Sequence, residues 1–189
     1  MIRIAIVGGI GSGKTYISNL FGYPVFNADE IVSKIYSSNI KIFYKLKKKL
    51  PKFFLTPPIK KEELIRAILK NNNNIKIISK IVHPEVRKEL KKFLKKHNNK
   101  KSIVLDIPLL LENNLNKKKD VVIFIQSSQK ERLKRIKNRK NFNNLVFQKL
   151  KKLQLPLDIK KSRSDYVIKN DFKKDSARKD VKHIITKIL

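Results

Sequence analysis

The chain has 189 residues, a net charge of +31 and no cysteine, and hydrophobic residues make up 41% of it. This length suits one ordinary domain with small insertions, and the missing cysteine excludes a disulfide framework and thiolate chemistry. The longest apolar run, residues 121–125, is too short to cross a membrane, and the start of the sequence has no secretory-signal pattern. We therefore expect a cytoplasmic protein without a membrane partner.

The positive charge comes mostly from lysine, which is spread along the whole chain. Nucleic-acid binders more often concentrate arginine and aromatic residues on one face. We interpret the lysine as compositional drift in an AT-rich genome, with RNA binding as the alternative. Weak, non-specific binding of polyanions is expected in either case, and a monomer is favoured.

Short apolar runs and amphipathic segments alternate along the chain. The predicted strands cover residues 2–7, 24–26, 103–106, 120–125 and 166–168. The predicted helices cover residues 14–21, 29–50, 61–70, 75–82, 84–96, 128–139, 143–153 and 176–188, with the asparagine run 71–74 as a loop. Pro84 is expected to open its helix, because proline suits the first helical position.

This alternation is typical of an α/β fold with a five-stranded parallel sheet covered by helices on both faces. The helical stretch 57–100 is too long for a plain crossover between two strands. We expect residues 1–56 and 101–189 to form the core, with a small lid near 127–152, and residues 57–100 to form an inserted substrate domain.

Residues 8–15, GGIGSGKT, match the phosphate-binding pattern G-x-x-x-x-G-K-[ST] in full. They follow an apolar strand and open a helix, as a P-loop requires. Such a loop turns backbone N–H groups toward a phosphate. Lys14 is then expected to reach the β- and γ-phosphates, and the Thr15 hydroxyl is expected to bind Mg²⁺.

The other motifs narrow the class of P-loop protein. The chain lacks the N-K-x-D segment of GTPases, and Asp106 is followed by Ile107-Pro108 rather than by the glutamate of motor ATPases. The size fits a small-molecule kinase, which needs an acceptor pocket, a base and a lid that brings arginines to the phosphates.

Two sets of residues are candidates for these roles. Asp29 follows the second strand and is a candidate base, or a charge that complements a helix dipole. Arg132, Arg135 and Arg139 are spaced to share one helix face, and arginine binds phosphate oxygens with a planar fork. The alternative for the arginines is a solvated basic face. Residues 140–144 resemble a lid tip.

With these motifs in order, the chain resembles the dephospho-coenzyme A kinase family. The matching segments are residues 7–15, 25–29, 81–84 and 106–112, Arg132-Leu133 with Arg135 and Arg139, Gln154, and residues 164–170. The P-loop is shared by many kinases, whereas the His-Pro pair at 83–84 together with D-x-P-L-L-x-E at 106–112 is far more specific.

The resemblance implies that ATP, with Mg²⁺, phosphorylates the ribose 3′-hydroxyl of dephospho-CoA. It implies catalytic roles for Lys14, Asp29, Arg135 and Arg139, and a helical CoA-binding domain over 57–100. The implied nucleotide-binding residues are Gly9, Ile10, Gly11, Ser12, Gly13, Lys14, Thr15 and Asn170, with Thr15 also at the metal. The implied acceptor-binding residues are Asp29, His83, Asp106, Pro108, Leu109 and Glu112.

Some of these residues have a structural role as the alternative to binding substrate. His83 before a helix-opening proline is interpreted as a structural cap, with contact to the acceptor as the alternative. Glu112 either holds a substrate group or pairs with a neighbouring lysine. Asn27 stands where the family usually has aspartate, whereas Asp29, the expected base, is present. A non-catalytic nucleotide- or RNA-binding protein and a nucleoside monophosphate-type kinase remain the alternative functions.

Overall fold

Five parallel strands form a single sheet in the computed structural model, which describes residues 1–140 and 142–189. The strands are β1 (Ile2–Gly8), β2 (Val25–Asn27), β3 (Ser102–Asp106), β4 (Val121–Gln126) and β5 (Tyr166–Lys169). Their spatial order is β2-β3-β1-β4-β5, and every neighbouring pair is parallel. The predicted five-stranded α/β sheet is confirmed.

The helices follow the strands in the order that a parallel sheet requires. They are α1 (Lys14–Leu20), α2 (Ala28–Ser38), α3 (Ile40–Lys49), α4 (Lys61–Lys70), α5 (Asn72–Lys96), α6 (Gln129–Lys137), α7 (Asn144–Lys151), α8 (Leu157–Ser162) and α9 (Lys174–Ile188). In the described part of the chain, no helix is both long and apolar enough to cross a bilayer.

The described chain divides into two compact units. The first contains residues 1–27, 97–142 and 150–189, and the second contains residues 28–96 and 143–149. The sheet belongs to the first unit, where apolar side chains of β1, β3, β4 and β5 pack with those of α1 and α9. Isoleucine and valine dominate these strands because both of their faces are buried.

The second unit has an apolar core of its own, and this core begins earlier than the predicted insertion at residue 57. Ile35 on α2 and Phe43 and Leu46 on α3 are buried together with Ala67 on α4 and Ile78 on α5. The amphipathic faces of α2 and α3 therefore place these helices with α4 and α5, which the sequence pattern alone did not separate from the sheet.

Two predicted helix boundaries in this unit are wrong. Residues 29–50 form two helices rather than one, because the Asn39 side chain caps α3 by accepting a hydrogen bond from the Ile42 N–H at 3.1 Å. Pro84 lies inside α5 and opens no helix. The buried Ile78 and Val82 lie before the proline, and the partly buried Val86 after it packs against the same core. This packing offsets the cost of about 3 kcal/mol that proline brings to a helix interior.

The asparagine run was predicted as a loop, but most of it starts α5. The Asn71 carboxamide oxygen accepts the Asn73 N–H at 2.9 Å, and the buried Asn74 amide donates to the Ala67 carbonyl at 2.8 Å. These bonds satisfy free groups at the end of α4 and the start of α5. Helix α8 was not predicted, because a helix of six residues shows little periodicity.

We predict that Asn39→Ala destabilises the protein by about 1 kcal/mol, because the first turn of α3 loses its cap. Chemical denaturation measures the change in the free energy of unfolding. Asn99→Ala, in an exposed turn, is the matched control and should change this free energy little. Equal losses in the two variants would contradict the capping role.

Candidate active site

The GGIGSGKT loop joins β1 to α1 and depends on glycine at two bends. Gly11 has φ +79° and Gly13 has φ +88°, in the left-handed region that side chains rarely adopt. The chain therefore curls tightly before Lys14 begins α1. This curl is the shape in which successive N–H groups can converge on an anion.

Asn170 holds the loop from the end of β5. Its buried side-chain amide donates to the Ser12 carbonyl at 2.8 Å, while its oxygen accepts the Phe172 N–H at 3.0 Å. The same amide fills the space that a Cβ on Gly13 would need. Asn170 was expected to bind the nucleotide, and the structure shows its side chain holding the phosphate loop.

Helix α6 packs on the loop from another side. The Arg132 guanidinium lies where a Cβ on Gly9 would stand, and the Ile136 side chain occupies the corresponding space at Gly11. One turn separates these two residues, so a single face of α6 covers the loop. The Ser128 hydroxyl caps this helix by accepting the Glu131 N–H at 3.2 Å.

Inside the loop, Lys14 folds back over the glycines. Its ammonium group donates to the Gly9 carbonyl at 3.0 Å and to the Gly8 carbonyl at 3.4 Å. The buried Ser12 hydroxyl makes no hydrogen bond within the described residues. The lysine thus supplies positive charge, and the curled backbone supplies N–H donors, at the same loop.

Thr15 and Asp106 bring a hydroxyl and a carboxylate together beside the loop. The Thr15 hydroxyl donates to Asp106 Oδ2 at 2.6 Å. Asp106 ends β3, and its partner in the β2–β3 register is Asn27, the last residue of β2. Hard oxygen donors of these two kinds suit Mg²⁺, so the residues present fit this metal.

The turn after Asp106 carries the D-x-P-L-L-x-E motif and has an unusual backbone. Leu109 has φ +59°, a conformation that costs a non-glycine residue on the order of 1 kcal/mol or more. The Leu109 carbonyl accepts hydrogen bonds from both the amide side chain and the backbone N–H of Asn113, at 2.9 and 3.0 Å. Pro108 and Leu109 are half-buried.

Glu112 anchors the end of this turn through a buried ion pair. Its Oε1 lies 2.7 Å from the Lys160 ammonium group and accepts the Leu155 N–H at 3.0 Å. Of the two alternatives for Glu112, the structure shows the pairing with a lysine, although Lys160 on α8 is distant in sequence. Removing either partner would leave a buried charge, which is strongly destabilising.

The three arginines do not share one helix face as predicted, because α6 ends at Lys137 and Arg139 lies just beyond it. Arg135 is exposed, and its guanidinium lies 4.5 Å from the centre of the Phe172 ring, in cation–π geometry. Arg139 is exposed. The predicted lid tip, residues 140–144, includes Asn141, which is outside the described residues.

Asp29 and His83 belong to the second unit. Asp29 is an exposed residue in the first turn of α2, shortly after Asn27. His83 is half-buried within α5, so the interpretation as a cap is wrong because no helix begins beside it. Burial, together with the nearby Arg87 charge, lowers the pKa of His83.

Sequence reasoning missed three contacts that shape the site: Asp106 with Thr15, Asn170 with the loop, and Lys160 with Glu112. Each joins residues far apart in the sequence. A partial signal existed for Asp106, since it is a carboxylate that ends a buried strand, and such strand ends face the ligand edge of a parallel sheet.

Comparisons with known proteins agree with one another. The family model of dephospho-CoA kinase matches residues 2–176. A dephospho-CoA kinase from Wolbachia sp. subsp. Brugia malayi is 33% identical over 187 residues, covering 96% of this chain and 95% of the relative. A solved dephospho-CoA kinase from Campylobacter jejuni is 25% identical with a TM-score of 0.62, covering 98% of this chain and 96% of that one.

A crystal structure from Thermus thermophilus is similar in fold, with a TM-score of 0.81 at 24% identity, and covers 100% of this chain and 98% of that one.

We predict that His83 makes the folded protein less stable at acidic pH. Because its pKa is lowered on folding, the stability that it contributes is present above the ordinary value of about 6.5. This stability is lost as the pH falls through the lower folded pKa. His83→Gln should flatten the fall in thermal midpoint below about pH 6.5, whereas the exposed His183→Gln should leave the profile unchanged. A profile that His83→Gln leaves unaltered would contradict this assignment.

Proposed function

Since the chain belongs to the dephospho-CoA kinase family, we propose that its site transfers the γ-phosphoryl group of ATP to the ribose 3′-hydroxyl of dephospho-CoA, giving coenzyme A. This reaction is the last step of coenzyme A synthesis, the role for which the family is known. The residue roles below, the metal and the cytoplasmic location are parts of the proposal.

One hydrogen bond carries this proposal. The Thr15 hydroxyl and the Asp106 carboxylate, 2.6 Å apart, join the phosphate loop to the first residue of the D-x-P-L-L-x-E turn. The nucleotide motif and the acceptor motif therefore meet at a single contact. A binding protein without chemistry has no need to bring these two motifs together.

The nucleotide end of the site consists of Gly9–Thr15. The backbone donors of Gly9, Ile10, Gly11, Ser12 and Gly13 bind the phosphates, and Asn170 keeps these donors in position. Lys14 exchanges its bonds to the Gly8 and Gly9 carbonyls for bonds to phosphate oxygens. Thr15 and Asp106 hold Mg²⁺, which when bound supplies positive charge to those oxygens.

The proposed acceptor-binding residues are Asp29, the turn from Asp106 to Glu112, and residues 57–100 with His83. Asp29 is exposed and follows the end of β2, whose last residue is the register partner of Asp106. Carboxyl ends of parallel strands lie at the edge where ligands bind. Pro108 and Leu109 line the acceptor, and the Glu112–Lys160 pair fixes the turn that carries them.

In the reaction, the ribose 3′-oxygen forms a bond to the γ-phosphorus while the bond from this phosphorus to the β–γ bridging oxygen breaks. The hydroxyl proton passes to the Asp29 carboxylate, and ADP leaves with the bridging oxygen. Little covalent work falls to the protein, because alignment and charge neutralisation supply most of the rate. Arg135 and Arg139 add positive charge over the phosphates.

An acceptor panel tests the function. We predict that the protein releases ADP from ATP and Mg²⁺ when dephospho-CoA is present, and that the coenzyme A formed is detected by mass spectrometry. Lys14→Ala serves as the inactive control, since it lacks the phosphate-binding lysine. Turnover with a nucleoside monophosphate instead would favour the other kinase class, and RNA retention at high salt without any turnover would favour a binding protein.

We predict that Asp29→Asn lowers kcat about 10²–10⁴-fold, because an amide cannot accept the hydroxyl proton. Its affinity for ATP should change little. Glu30→Gln, the neighbouring carboxylate in the first turn of α2, is the matched control and should keep near-normal turnover. Steady-state kinetics with varied dephospho-CoA measures both variants. Normal turnover by Asp29→Asn would show that another group acts as the base.

A further inference from the structure

Arg132 holds a positive charge against the phosphate loop. Within residues 1–140 and 142–189, no carboxylate forms an ion pair with it, and its buried Nε makes no hydrogen bond. Burial lowers the pKa of Arg132. A half-buried charge without a partner is costly to a protein, so its retention calls for a physical reason.

The position of this charge supplies the reason. The guanidinium lies on Gly9, and the Gly9 carbonyl also accepts the Lys14 ammonium at 3.0 Å. Two cations therefore meet at one loop residue. An anion bound at this place would compensate both charges, and hydrogen bonds from guanidinium to phosphate are among the strongest in proteins.

Arg132 also faces a cavity of about 190 Å³ at the end of β4, lined by Ser127, Asp158 and Lys161 among others. Asp158 shares this cavity with Arg132 but forms no ion pair with it. Lys161 adds a further cation. The single carboxylate and the single lysine of this lining cancel each other, so the charge of Arg132 itself stays uncompensated there.

We propose that Arg132 is a fixed phosphate-binding residue of the loop, which acts with Lys14 on the phosphates of the bound nucleotide. This inference rests on the proposed function only in taking ATP as the ligand. Arg132 differs from Arg135 and Arg139 because it is packed against the loop, together with Ile136, whereas those two side chains are exposed. It therefore binds phosphate whether or not a lid has closed.

Gly9 offers a way to move the guanidinium without changing Arg132. Unlike Gly11 and Gly13, Gly9 has no left-handed backbone that requires glycine. A methyl group there would collide with the end of the Arg132 side chain, while Leu157 would remain at an ordinary contact distance of 3.4 Å. Gly9→Ala should therefore displace the guanidinium and leave the loop in place.

The test measures ATP and ADP dissociation constants by calorimetry with Mg²⁺ and no acceptor, and thermal midpoints with and without nucleotide. We expect Arg132→Gln to weaken nucleotide binding about tenfold or more, while its midpoint without nucleotide is unchanged or higher. Gly9→Ala should weaken binding similarly, and the double variant Gly9→Ala/Arg132→Gln should be no weaker than either single variant. Lys134→Gln, exposed on the same helix, is the control.

Three results would overturn the proposal. The first is that Arg132→Gln binds nucleotide with wild-type affinity, and the second is that the losses of affinity in the two single variants multiply in the double variant. The third is that Arg132→Gln has a lower thermal midpoint without nucleotide, while the shift that nucleotide induces in the midpoint is unchanged. The last result would mean that Arg132 only stabilises the fold. Because no acceptor is present, these results are separate from the acceptor panel. A protein that binds ATP but fails to phosphorylate dephospho-CoA would refute the proposed function and leave the role of Arg132 measurable.

Discussion

The phosphate loop has its shape because neighbouring elements occupy the space that its glycines leave open. Asn170 fills the side-chain position of Gly13, Ile136 that of Gly11 and Arg132 that of Gly9. A loop with so few side chains cannot fix its own conformation, since glycine loses the most entropy on ordering. One face of α6 and Asn170, just after β5, therefore hold the loop in shape. The phosphate loop thus depends on residues far from the motif in sequence.

Contacts between residues that are distant in sequence also explain how much of the molecule could be predicted. The five strands were found because each is a continuous apolar run, and the P-loop because its pattern is local. Asn39, Pro84 and the asparagine run were misread because their effect depends on contacts: Val82 and Val86 pack against one core on either side of the proline, and Asn74 bonds to the preceding helix. Periodicity cannot reveal such contacts.

The residues of the candidate site also fall into those that a local pattern reveals and those whose partners lie far away in sequence. Lys14 and Thr15 were identified from spacing alone, whereas the contact of Asp106 with Thr15 and that of Glu112 with Lys160 join distant segments. The resemblance to a family named Asp106 and Glu112 as acceptor residues, yet only the structure gives each a partner. The roles of Asp29, His83, Arg135 and Arg139 in binding and transfer stay predictions.

Because lysine is the usual cation of this chain, a half-buried arginine points to a position where the guanidinium group itself is needed. Lysine supplies most of the charge, and drift in composition could replace one cation with another at any exposed site without much cost. Arg132 is not such a site, because its guanidinium packs against Gly9. A lysine would present a strongly hydrated point charge there. Arg132 is half-buried and has no carboxylate partner among the described residues, and this separates it from the solvated basic surface. The net charge of the chain describes that surface, whereas the burial of Arg132 and its contact with Gly9 identify it as a cation of the phosphate loop.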